Sequence, residues 1–238
     1  MLVLVTLDFM WLTLFFIAQV LVMSVTLVLE VRRATIHCGE AEDTANARAK
    51  NLAVGFGAWL TVTAYLAQTG ALRFGPMPPP LMVCAFASMA VTVALALGPV
   101  GTALVRGAGV GFLVGYQVFR VAVEIFLWWG HREGLVPVQM TWEGRNWDVV
   151  TGAMAPVAAW TGSRRVILVW NVAGLALLGN VVTVAILSAP TPFRQFWNEP
   201  ANVFVTQSPF MWLPLFLVPL ALFGHVVVFR WLRQPEAR

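Results

Sequence analysis

The chain has 238 residues, of which 59% are hydrophobic and 11% charged, with mean hydropathy +0.79 and a formal net charge of +4. Soluble domains are nearer half apolar and about a quarter charged, so this composition excludes an ordinary soluble domain and points to an all-α, polytopic transmembrane helix bundle. The basic balance offers no stripe of Lys or Arg able to track phosphates, which excludes nucleic acid as a partner.

A membrane-crossing helix needs about 20 mostly apolar residues. Seven runs reach or approach that length, near 4–29, 51–70, 81–98, 107–129, 147–162, 166–188 and 209–232, and together make a single transmembrane domain over 1–238. The first run carries Asp8, has no basic segment before it and is too long for a signal-peptide core, so it reads as a retained helix. Segment 30–50, with Arg32, Arg33, Arg48 and Lys50, reads as a solvated linker. Lys50 is the only lysine, so no Schiff base can form in the last helix. Prolines stiffen "RFGPMPPP" (73–80) ahead of the third run.

The fourth run contains "YQVFRVAVEIFLWWGH" (116–131). Arg120 and Glu124 are one turn apart on one face, and Tyr116 and His131 extend that stripe. A lone charge at the bilayer centre costs at least ~2.5–3.5 kcal/mol. Two charges at this depth should therefore face the bundle interior, either as a structural ion pair with each other or with Glu124 lining a functional cavity.

Next comes "MTWEGRNWD" (140–148), a concentration of charge at the entry to the fifth run. Asn146 or Asp148 suits the N-cap of that helix, and Gly144 a turn. Glu143 and Arg145 have no capping role. The topology predicts that Glu124, His131, Glu143, Arg145 and Asp148 converge near the outer interface, where they could do acid–base work, bind an anionic group or hold a metal. No metal-binding spacing supports the last of these. The fifth run is short and carries Pro156, so six spans with one re-entrant segment is the alternative count. In the sixth, Asn171 and Asn180 point to roughly opposite faces, and Asn180 shares its face with Thr183. Gly174 and Gly179 allow close packing there. "SAPTPFRQFWNEPANVF" (188–204) follows as a Pro-rich aromatic connection. The last run places His225 towards the cytoplasm, away from the outer cluster, in a structural role.

Strict alternation of seven helices puts Arg32, Arg33, Arg48, Lys50, Arg106, Arg164, Arg165, Arg230, Arg233 and Arg238 on one side. Only Arg73, Arg132, Arg145 and Arg194 fall on the other. The positive-inside rule then sets the N-terminus outside and the C-terminus in the cytoplasm. Cys38 and Cys84 fall at different depths and make no disulfide framework.

The segments "FRVAVEIFLWW" (119–129), "VPVQMTWEGRNWDVVTGAMAP" (136–156), "LVWNVAGLALLGNVV" (168–182), "ILSAPTPFRQF" (186–196) and "PFMWLPLFLVPLALFGH" (209–225) resemble an uncharacterised family of bacterial polytopic integral membrane proteins with an MTFEGRN-type motif. The resemblance covers about 116–225. The family form has Phe where Trp142 and Trp147 stand and Pro where Ala122 stands; Gln is frequent at Arg194. It implies a bacterial cytoplasmic membrane protein and brings no activity with it.

The function expected is a binding protein with a polar pocket in its outer half for an amphipathic or lipid-like ligand, or an accessory subunit of a membrane complex. The fourth, fifth and sixth helices would form the pocket, roofed by 73–80 and 188–204. Arg120, Glu124, His131, Glu143, Arg145, Asn146, Asp148 and Asn180 are its candidate ligand-binding residues. Arg145 would take an anionic group, and Glu124, His131, Glu143 or Asp148 would handle protons or orient the ligand. A membrane enzyme acting on a lipid or quinone-like substrate, and a transporter or proton pathway, are the alternatives. Membrane lipids and a membrane-protein partner or second copy are the expected partners. No motif names a cofactor.

Overall fold

The computed structural model describes residues 2–235, with side chains from Asp8 onward. Among these the chain is helical and contains no strand. α1 (Leu2–His37) and α2 (Glu42–Gln68) form an N-terminal hairpin. α3 (Pro80–Leu97) is followed by the short α4 (Pro99–Gly107). α5 (Val110–Gly115) runs through the tight turn Tyr116–Val118 into α6 (Phe119–Arg132). α7 (Val149–Thr161) and α8 (Arg164–Ser188) follow, and a π-helical stretch, Leu213–Leu217, leads into α9 (Val218–Leu232).

Proline sets several of these boundaries. α3 and α4 both begin with one, where the missing N–H has no intrahelical partner to lose. Within the last span, Pro219 cannot donate to the carbonyl of Leu215 four residues earlier. The Trp59 indole of α2 takes that carbonyl at 2.9 Å, and the Trp212 indole returns the contact to Leu60 O at 3.1 Å. The wider π turn is the local adjustment that such a freed carbonyl permits inside a membrane segment.

Five segments are long and apolar enough to cross a membrane: Asp8–His37, Pro80–Leu97, Val110–Arg132, Arg164–Ser188 and Leu213–Leu232. Seven were expected. α2 has the length, but Asn51, Thr61, Thr63, Tyr65 and Gln68 dilute its apolar run. α7 is apolar but has only 13 residues, which at about 1.5 Å per residue span roughly 20 Å of a 30 Å core. Segment 30–50 is also not a linker. α1 continues to His37 and α2 starts at Glu42, because short-range pairs hold both ends helical: Arg33 on Glu30, Arg32 Nε on Asn46 at 2.7 Å, and Arg48 on Glu40 at 2.9 Å.

The two ends of the bundle differ. At one end, Arg230 bonds Ala96 O and Thr102, Arg164 bonds Leu232 O and Gln234 O, and Cys38 approaches Ala103 O. These contacts join α4 and the ends of α1, α3 and α9 with the start of α8. Arg238, assigned to the same side from the sequence, lies outside the described residues. The other end holds the connections 69–79, 133–148 and 189–212. The last of these is folded in: Asn202 bonds Ala185 O and Ser188 O, and Phe204 and Phe210 join Phe16 and Phe126 in a buried aromatic cluster. Packing around α9 sets the interior, because α3 and α8 both pack on α9 more extensively than on each other.

Candidate functional site

Arg120 sits on the first turn of α6 and is 1% exposed. A buried guanidinium needs both a counter-charge and a set of acceptors. Asp148, at the head of α7, supplies the charge through a bidentate fork: Nε donates to Oδ2 at 2.6 Å, and the second bond runs from Nη2 to Oδ1. Bidentate charge-assisted pairs of this kind are strong and fix orientation. Nη1 lies 2.8 Å from His225 Nε2 of α9, and Nη2 reaches Gly174 O of α8 at 3.3 Å. A guanidinium only donates, so Nε2 of His225 accepts. Its Nδ1 therefore carries the proton and donates to Asn171 Oδ1 at 2.8 Å. The imidazole is the neutral Nδ1 tautomer, held by its neighbours on both sides.

Two glycines permit this approach of three helices. A Cβ at Gly174 would lie 2.7 Å from His225 Cε1, and one at Gly224 would overlap Tyr116 Oη and Gln117 Nε2. Tyr116 and Gln117 use that space to donate to Leu220 O at 3.0 Å and Ala221 O at 2.9 Å.

Glu124 stands one turn beyond Arg120 and is also 1% exposed. The two do not form the ion pair that their spacing suggests. Arg120 turns to Asp148 and His225, while Glu124 Oε1 accepts from Asn146 Nδ2 at 2.6 Å. Asn146 donates as well to Met140 O at 3.0 Å, and its Oδ1 accepts the backbone N–H of Asp148 at 3.1 Å. Asp148 does occupy the N-cap position of α7, but its carboxylate serves Arg120 and makes no capping bond. Glu124 Oε2 is buried and has no hydrogen-bond partner among the described residues.

Arg120, Glu124 and Asp148 form the polar wall of a cavity of about 100 Å³. The rest of the wall is almost wholly apolar and comes from α3, α6, α8, the π-helical stretch and α9. The connections contribute Phe74, Ala189, Asn202 and Val205. Asn202 is 2% exposed; its Nδ2 is bonded to Ala185 O, while its Oδ1 is a second buried acceptor without a partner among the described residues. The cavity therefore draws on α3 and α9 as well as on the helices expected from the sequence. Between α3 and α8, which contact α9 more extensively than each other, Met82, Phe86, Met89, Val182 and Ile186 line a side of the cavity.

The other candidates lie elsewhere. His131 Nδ1 sits 3.0 Å from Val136 O and turns the chain after α6. Glu143 accepts from Trp128 and Arg132 at the surface, at 2.9 and 2.7 Å, and the Trp128 indole, with Arg132 beside it, holds its carboxyl below the ordinary carboxylate range. Arg145 is exposed and lies over the Phe196 ring, 4.9 Å from its centre. Asn180 donates to Arg145 O at 2.7 Å and stays outside the cavity. Of the expected convergence only Glu124 and Asp148 stay in the buried cluster, where Arg120 and Asn146 join them. His131 lies about seven residues, or roughly 10 Å of helix, beyond Glu124, and from Arg145 to Asp148 successive residues alternate between exposed and buried.

His225 and Asn171, read from the sequence in structural roles, complete the partners of Arg120. His225 stands twelve residues from Leu213 and Arg120 twelve from Arg132, the ends of these antiparallel spans that share one side of the bundle, and this common depth was the available signal. Among the described residues, no group of three or more His, Cys, Asp or Glu is placed to hold a metal ion.

A family model, Domain of unknown function (DUF8737), matches residues 78–233 and so takes in every residue of the polar cluster and the cavity wall except Phe74. No curated protein and no solved structure matches the chain.

Proposed function

The chain belongs to that family of unknown function, and from this premise we propose that it is a multi-pass membrane protein that holds an amphipathic, lipid-like ligand in the cavity between α3, α6, α8 and α9. The observation that carries the reading is Glu124 Oε2, a buried oxygen without a partner among the described residues, set in an otherwise apolar wall. Apolar cavities with a few placed polar groups are the usual form of small-molecule sites. The cleft between α3 and α8 opens the site sideways, the direction from which a molecule dissolved in the bilayer arrives. Methionines at that mouth, Met82 and Met89, suit a passage that must adapt its shape.

Binding is favoured over acid–base catalysis. Both nitrogens of His225 and both oxygens of Asp148 are engaged, which leaves one free oxygen on Glu124. With α2 and α7 as additional, less regular passes, seven helices alternate, the basic end faces the cytoplasm and the N-terminus lies outside. The resemblance to bacterial membrane proteins supports a bacterial cytoplasmic membrane as its location.

Native mass spectrometry of the protein extracted from its own membrane tests the reading. A small amphiphile should be retained at one per chain and be lost from Ala185→Phe, which fills the cavity. Retention of a protein partner and no small molecule would make the cluster a packing device of an accessory subunit instead.

A further inference from the structure

Resting on the cavity as a ligand site, the hydrogen-bond inventory assigns the ligand a head group: we infer that it is an amphipathic amine, whose ammonium donates to Glu124 Oε2 and Asn202 Oδ1. The donors around the cavity are directed elsewhere. Arg120 gives its bonds to Asp148, His225 and Gly174 O. The Asn146 amide goes to Glu124 Oε1 and Met140 O, and that of Asn202 to Ala185 O. What the wall retains is two buried acceptors, both on residues that line the cavity.

The donors that each head group brings lead to the same class. Arg120 and Asp148 cancel, and His225 is neutral by its hydrogen bonds, so no surplus cation faces the cavity. Among the described residues Glu124 has the Asn146 amide as its hydrogen-bond donor. A carboxylate or phosphate head would set acceptors against acceptors. A neutral alcohol brings one donor and leaves the other acceptor unmet. An ammonium is a compact cation with several donors, and it satisfies both acceptors at once. Arg145, expected to bind an anionic group, lies outside the cavity and places no cation in its wall. The cavity, at about 100 Å³, seats the head and its first carbons. The remaining chain leaves between α3 and α8 into the lipid.

The test uses the full chain in nanodiscs of phosphatidylcholine, a lipid without a primary amine, titrated with dodecylamine, dodecanol and dodecanoate and read by native mass spectrometry. Dodecylamine should bind at one per chain and more tightly than the other two. Glu124→Gln keeps an oxygen for Asn146 and so keeps the fold. It should weaken the amine roughly ten- to hundredfold, the range expected for a charged hydrogen bond, and leave dodecanol unchanged. Asn202→Ala should weaken the amine by a smaller factor. Equal amine binding by wild type and Glu124→Gln, or dodecanoate binding as tightly as the amine, overturns the head-group assignment. In that case loss of binding in Ala185→Phe still supports the cavity. Failure of all three amphiphiles to bind overturns both.

Discussion

Segment 140–148 supplies two regions that differ in almost every physical respect. Asn146 and Asp148 turn inward, are almost wholly buried and complete the partners of Glu124 and Arg120. Glu143 and Arg145 turn outward, where Glu143 pairs with Arg132 and Arg145 covers Phe196. Similar charged side chains a few residues apart thus do different work. Inside, a missing partner leaves a charge with no solvent to receive it. At the rim, water replaces what is lost.

The contrast is broken most severely by Asp148→Ala. This variant leaves Arg120 buried and unpaired and should cost about 3–5 kcal/mol, read as loss of folded protein in a denaturant titration in detergent. Adding Arg120→Met to Asp148→Leu removes both charges and should restore much of that stability. If the double variant is no better than the single, the cluster does more than balance its own charge. Asn146→Ala comes next. It strips Glu124 of the donor that Asn146 supplies and should cost about 1–3 kcal/mol, measured the same way.

The smallest effect is expected of Glu143→Gln. The Glu143 carboxyl titrates below its ordinary value of 4.5 in the folded protein, through Trp128 first and Arg132 after it. Its contribution is therefore fully present above that value and is lost as pH falls through the lower, folded one. Wild type and variant should differ slightly above about pH 4.5 and converge below it. A difference that persists in strong acid would assign the rim pair a role other than charge.

The helices were legible because long apolar runs have few alternatives in a bilayer. Pro80 and Pro99 mark helix starts. Arg120 and Glu124 were legible as residues that require an interior partner. Their actual partners were not. A spacing of one turn says that two residues share a face, and nothing about what arrives from other helices. Asp148 offers the guanidinium two parallel bonds in a fixed geometry, and His225 a third, which outcompete a neighbour on the same helix. Asn202 was hidden for a related reason. It lies in a connection that reads as an interfacial cap, and only the inward fold of 189–212 carries it to the cavity. In the outer loops, Arg194 illustrates the opposite case: it ties its own segment together through Phe196 O and Glu199 and stays out of the cavity.

The carbonyl freed by Pro219 has a consequence for the order in which the chain is made. Arg120 leaves the ribosome 28 residues ahead of Asp148 and 105 ahead of His225. Its charge can thus be neutralised early, within the same stretch of nascent chain, and be joined by the imidazole only near the end of synthesis. Trp59 waits longer still, since Leu215 lies 156 residues downstream. The first hairpin is therefore made before either of its indole-bonded partners in the last span exists, and the last helix, arriving with its open carbonyl, closes contacts that the earlier ones left unmade.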